Sequence, residues 1–176
     1  MTAPIEIFFS YAHEDEDLMD AIRRQLIIFD RRDLIRKWHD RKIPPGDSWR
    51  RVIDNRIRRA KIILQFLSPH FFDSDYCYEI EMMVALKRHH IGEAVVIPIV
   101  LRPCAWQQTP LGFLQALPKD GRAVTAWRNR DQVCLEIAGE IMKVVDQFRL
   151  APQPIKQKKR APTKKAALSG TVRISV

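Results

Sequence analysis

Short unbroken apolar runs alternate along this chain with longer stretches whose apolar positions recur every three to four residues. That is the pattern of parallel strands alternating with helices. Residues 5–11 (IEIFFSY) predict a first strand. The spacing of Leu18, Ala21, Ile22, Leu26 and Phe29 then predicts a helix over 15–29. Residues 34–38 predict a short second strand, and HDRKIPPGD, 39–47, a loop, since two prolines and a glycine continue neither element. Asp47 or Ser48 can cap a helix running to about Arg59, with Trp49, Val52, Ile53 and Ile57 facing inward. KIILQFL, 61–67, predicts the third strand, followed by a loop over 68–75 (SPHFFDSD) and a helix containing YCYEIEMM. Residues 94–101 are the clearest buried strand, because an unbroken apolar run suits a strand covered on both faces. Pro103, Pro110, Gly112 and Pro118 make 102–121 irregular. Residues 123–127 predict a fifth, edge strand, and 130–148 a last amphipathic helix. The expected fold class is α/β, a five-stranded parallel sheet between helical layers, over 1–150.

Composition and charge refine this outline. The chain has 176 residues, 46% of them hydrophobic, with four tryptophans, enough for one packed domain. Its net charge of +9 suggests an anionic partner, but seven basic and no acidic residues fall in 151–176. The remaining 23 basic and 21 acidic residues leave 1–150 near neutrality, so no DNA or RNA is expected there. The basic segment 151–176 lacks a hydrophobic period and reads as a flexible tail or linker. Cys77, Cys104 and Cys134 are odd in number and widely spaced, which fits reduced thiols better than disulfides or a zinc site. The start of the chain lacks the pattern of a signal peptide, and the longest apolar run, AVVIPIVL, is eight residues. A soluble cytoplasmic protein without membrane attachment is expected.

Four stretches in order resemble the TIR (Toll/interleukin receptor) family: IFFSYAHEDED, WHDRKIPPGDSW, ILQFLSPHFFDSDYCYEIEM and VVIPIVLRPCAW. The resemblance spans roughly residues 4–148 and implies a flavodoxin-like fold. It implies one of two activities: cleavage of NAD⁺ at the nicotinamide–ribose bond, giving nicotinamide and ADP-ribose or a cyclic isomer, or TIR–TIR binding as a non-enzymatic adaptor. For the bacterial NAD-cleaving branch it further implies homo-oligomerisation on activation and a role in defence or signalling. NAD⁺ enters as substrate, and no cofactor or metal is implied. A receiver domain, the other flavodoxin-like possibility, is disfavoured because KIILQFLSPH carries no phosphoacceptor aspartate.

The chemistry needs only one carboxylate. Ordinary glycosidases use two because the leaving oxygen must be protonated. In NAD⁺ the bond runs to a pyridinium nitrogen, so nicotinamide departs neutral and what needs stabilising is the cationic ribose. The candidates are Glu79 and Glu81. At about 100° per residue they sit on opposite shoulders of an apolar arc formed by Met83, Ile80, Val84 and Cys77, and helical geometry does not choose between them. The resemblance implies Glu81 as the catalytic residue and leaves Glu79 as surface charge. Cys77 stands where enzymatic relatives usually carry tryptophan, and Ala12 and His13 where they often carry arginine. Expected substrate-binding residues are Ser10, Tyr11, Ala12 and His13 at the end of the first strand, Trp38, Asp40 and Pro44 at or in the loop after the second, and Cys77. Residues 39–47 match the family's BB loop, expected to gate the site and to contact neighbouring TIR domains. The run Arg50, Arg51, Arg56, Arg58 and Arg59 is expected to be a solvated helix face.

Overall fold

The apolar runs become strands where their residues can be covered from both sides. In a computed structural model of the chain, described over residues 3–38 and 48–150, β1 (Ile5–Ser10), β2 (Ile35–Trp38), β3 (Ile62–Leu67) and β4 (Val95–Val100) form one parallel sheet. Its order is β2-β1-β3-β4. All six residues of β3 are buried, as a central strand flanked by helices requires. Between the strands come α1 (Glu16–Gln25), α2 (Ile27–Arg31), α3 (Trp49–Arg59), α4 (Pro69–Asp73) and α5 (Met83–His90), and α6 (Arg130–Leu150) closes the domain.

Alternation along the strands divides the core into two halves. Ile7, Phe9, Leu64 and Phe66 pack with Ile22 of α1 and Ile137 of α6. Phe8, Ile63 and Leu67 face the opposite way, toward Ile53 and Ile57 of α3 and Ala85 of α5. The result is a three-layer arrangement of flavodoxin-like type, with α1 and α6 on one face and α3 and α5 on the other.

The structure departs from the sequence-based outline in four places. The fifth strand does not form. Residues Val124–Ala126 make a 3₁₀ turn instead, closed by Ala126 N–H donating to the Ala123 carbonyl at 2.9 Å. The sheet edge where a fifth strand would pair belongs to β4, and Pro98 has no N–H to offer it. That edge instead takes a single bridge: Leu117 N–H donates to Pro98 O, and Val100 N–H to Leu117 O, each at 2.8 Å. The helix predicted over 15–29 is interrupted at Leu26, whose side chain is fully buried and whose φ/ψ of −88° and 0° separates α1 from α2. The loop predicted over 68–75 contains α4, because Ser68 caps the Phe71 N–H through its Oγ at 3.0 Å and Pro69 sits at the first helical position. Finally, Tyr76–Met82 form a π-helical turn rather than an α-helix before α5.

Among the described residues no helix is long and apolar enough to cross a membrane. The loop 39–47 and the basic segment 151–176 lie outside the described residues.

Candidate functional site

Ligands in open α/β sheets bind outside the carboxyl ends of the strands, at the point where strand order reverses. Here the chain steps from β1 outward to β2 and then returns to the other side of β1 as β3, so the reversal lies between β1 and β3. A cavity of about 300 Å³ opens there. Phe8, Ile53, Cys77 and Glu81 form its buried floor, and the exposed residues His13, Glu14, His70 and Asp73 its rim. The volume lies at the small end of the range for ligand sites and suits one nucleoside-sized moiety.

Glu81 reaches this floor because of the π turn. In an α-helix Glu81 would stand on the shoulder of the apolar arc. The wider turn, bonded i to i+5, changes the sequence of buried positions to Cys77, Glu81 and Met82, then Ala85 and Arg88. Met83, expected on the inward arc, is 52% exposed, whereas Glu81 is 5% exposed. Glu79 points to solvent. The turn starts where it does because Ser74 accepts the Cys77 N–H on Oγ at 3.3 Å, and the Ser74 carbonyl accepts the Tyr78 N–H at 2.9 Å.

The Ser10 hydroxyl donates to Glu81 Oε2, joining the end of β1 to the π turn across 71 residues of sequence. Cys77 Sγ lies 3.6 Å from the Tyr11 carbonyl, so the same turn is fastened to β1 at a second point. Tyr11, Ala12, His13, Cys77 and Glu81 therefore line one cavity, with Ser10 directly bonded to the carboxylate. Trp38 ends β2 opposite Phe8 of β1, which puts its backbone next to the strand carrying Ser10. Asp40 and Pro44 lie outside the described residues.

Two features beside the cavity escaped the sequence reading. The first is Asp15, fully buried at the start of α1. It accepts from the Ser68 hydroxyl and from Arg102 Nε, the latter at 2.6 Å. These three residues follow β1, β3 and β4, so one carboxylate ties together the carboxyl ends of three strands. Nothing in the run HEDED marks which acid turns inward. The second is Gln65, fully buried in β3, whose amide nitrogen and oxygen both lack hydrogen-bond partners among the described residues. Leaving such a group unpaired costs about 1–3 kcal/mol. The signal for it was available: it is the one polar residue inside the apolar run of β3.

The sequence model of the TIR domain family matches residues 7–133. The chain belongs to the TIR domain family. Among curated proteins, this TIR domain is similar to the uncharacterized protein y4lF of Sinorhizobium fredii (strain NBRC 101917 / NGR234), 42% identical over 165 residues. The alignment covers 94% of this chain and 49% of y4lF, so the chain spans about half the length of that relative. Among solved structures, it resembles the TIR domain of the Toll-related receptor TRR-2 from Hydra magnipapillata. The TM-score is 0.55 at 21% identity, over 80% of this chain and 97% of the other. A weaker likeness, TM-score 0.46 at 17% identity, covers 82% of this chain and 79% of the TIR domains of the activated Roq1 resistosome. The TRR-2 likeness agrees with the fold described above. The family includes both NAD-cleaving enzymes and adaptor modules.

Proposed function

We propose that this TIR domain is an NAD⁺ glycohydrolase, cleaving the nicotinamide–ribose bond with Glu81 as its catalytic residue. The observation that carries this reading is a buried glutamate on the floor of a cavity at the β1/β3 reversal, oriented by Ser10. A carboxylate in such a place is surrounded by apolar side chains, where its charge acts more strongly on a neighbouring cation than it would in water. As the bond to nicotinamide stretches, positive charge spreads over the ribose ring carbon and oxygen, and the fixed anion of Glu81 stabilises it. Nicotinamide takes the bonding electrons and leaves neutral, so no general acid is needed. Water or a base within the same molecule then captures the ribosyl cation, giving ADP-ribose or a cyclic isomer.

The cavity suits the nicotinamide–ribose end of the dinucleotide, with Tyr11, Ala12 and Cys77 as its immediate surroundings. Trp38, Asp40 and Pro44 are assigned to the remaining substrate contacts on the strength of the family resemblance. Self-association is part of the proposal: neighbouring TIR domains complete the site through the loop 39–47, and defence or signalling is the setting. NAD⁺ is the substrate, with no further cofactor.

The test is nicotinamide release from NAD⁺ by purified protein at high concentration, under conditions that promote assembly. Glu81→Ala is expected to reduce the rate by about 10²–10³ or to background, the range for losing one transition-state-stabilising group. Equal, negligible release by wild type and variant would sink the enzymatic reading. One feature favours the adaptor reading instead: Cys77 replaces the usual tryptophan, and neither Ala12 nor His13 is arginine. That reading predicts a TIR partner that co-purifies equally with wild type and Glu81→Ala and is lost when residues 39–47 are changed.

A further inference from the structure

We propose that Gln65 is a positioning residue for the Ser10–Glu81 pair, its carboxamide bonding both partners once substrate occupies the cavity. This rests on the NAD⁺-cleavage reading and adds to it a residue outside the cavity lining.

Gln65 and Ser10 are register partners in the parallel pairing of β3 with β1. Paired residues of neighbouring strands project to the same face, and the strands lie about 4.8 Å apart, a span within reach of a glutamine side chain. The face is fixed by its neighbours. Ile63 and Leu67, two residues either side of Gln65, belong to the half of the core that contains Phe8 and Cys77. Ser10 lies two residues beyond Phe8 on that same face, and from there its hydroxyl reaches Glu81. The carboxamide is thus fully buried at the level of the Ser10–Glu81 hydrogen bond, with neither of its polar atoms partnered among the described residues. A core position in an otherwise apolar strand has no structural use for an unpaired amide; a leucine or methionine would fill it without the desolvation penalty.

The chemistry supplies a use. Ribose hydroxyls entering the cavity compete with the Ser10 hydroxyl for the Glu81 carboxylate. Ser10 then needs a new acceptor, which Gln65 Oε1 provides, and Gln65 Nε2 donates to the carboxylate. A donor to the charged form keeps the carboxylate anionic and aimed while the ribosyl cation forms. No proton is transferred and no bond to Gln65 is made.

Gln65→Met, close in size and without the amide, tests this. Its melting temperature is expected to equal or exceed wild type, because a group with no partners is removed. Its kcat for nicotinamide release is expected to fall about 10- to 100-fold, the range for residues that orient a metal ligand, taken here for one that orients a carboxylate. The fall in kcat is expected to exceed any rise in KM, since the aimed carboxylate acts most strongly on the ribosyl cation of the transition state. The acid limb of its pH–kcat profile is expected to move to higher pH. A purely structural role would instead lower the melting temperature or prevent folding of Gln65→Met, and either result overturns the inference. So does an unchanged kcat and acid limb beside an active wild type, which leaves NAD⁺ cleavage standing. A wild type that releases no nicotinamide overturns both.

Discussion

The two glutamates of YCYEIEMM differ by their surroundings rather than by their chemistry. Glu81 is held in the floor of a cavity by Ser10, while Glu79 stands in solvent. Glu79→Ala is therefore expected to leave nicotinamide release unchanged and stability within about 0.5 kcal/mol, as for surface positions generally. Ser10→Ala should lower kcat while leaving the fold intact, which circular dichroism and turnover measured together would check. Asp15 makes a different kind of prediction. Replacing it with alanine deprives the Ser68 hydroxyl of its acceptor and Arg102 of its ion pair. The expected cost is about 1.5–3 kcal/mol in denaturant unfolding, toward the lower end because Arg102 reaches solvent. At this scale the sequence was partly legible. The choice of Glu81 came from family resemblance, since period alone left both acids open. Gln65 was visible as a polar interruption of an apolar strand, whereas burial of Asp15 depends on contacts with residues 53 and 87 positions away, which no local pattern encodes.

Elements were legible where local chemistry and burial agree. The runs KIILQFL and AVVIPIVL could be little else than covered strands, and Pro103, Pro110, Gly112 and Pro118 marked the irregular connection after β4. The failures have local causes. Ser-Pro at 68 and 69 was a helix-start signature overlooked inside an aromatic loop. A fifth strand needed a complete ladder on β4, which Pro98 denies. The connection after β4 is nevertheless specific. A Cβ on Gly112 would fall well inside contact distance of the Gln107 carbonyl oxygen, a backbone atom that cannot turn aside. Gly112→Ala is expected to cost about 1–3 kcal/mol, the usual range for overpacking, and to lower the melting temperature accordingly. Between α3 and α5, the buried Arg88 donates to the carbonyls of Ile57 at 2.5 Å and Ala60 at 2.7 Å, completing the end of α3. Arg88→Met leaves those acceptors unpaired, and a loss of about 1.5–3 kcal/mol is expected from the charge-assisted bonds. On α6, hydrogen bonds from Lys143 and Lys119 hold the Glu140 carboxyl below its ordinary value of 4.5. A lowered folded value means this contribution is fully present above the ordinary value and is lost as pH falls through the folded one. In Glu140→Gln that part of the acid dependence of stability should be absent.

For the molecule as a whole, the alternation of strand and helix announced a three-layer α/β domain, and the reversal of strand order between β1 and β3 placed its cavity. Among the described residues none of the three cysteines is in a disulfide. Burial pushes Cys104 above the ordinary thiol value, opposed by a backbone hydrogen bond at Trp106 and reinforced by Asp15. Burial likewise raises Cys134, with Asp131 adding to it and Arg130 opposing. Both are expected to alkylate more slowly at neutral pH than a free cysteine, with rates still climbing past the usual thiol range, measurable by mass spectrometry. The π turn carries a further consequence. Seven residues, Tyr76–Met82, occupy a stretch that an ordinary helix would cross with one residue fewer. Deleting the exposed Tyr78 removes that extra residue, so an α-helix crosses the same stretch with both flanks in place. Cys77 and Glu81 then stand three positions apart, about 60° from each other around the helix, and still share the face toward the end of β1. Loss of a single codon here is thus expected to leave a folded domain with its carboxylate still in the cavity, whereas the same loss in an ordinary α-helix turns one flank by about 100° against the other.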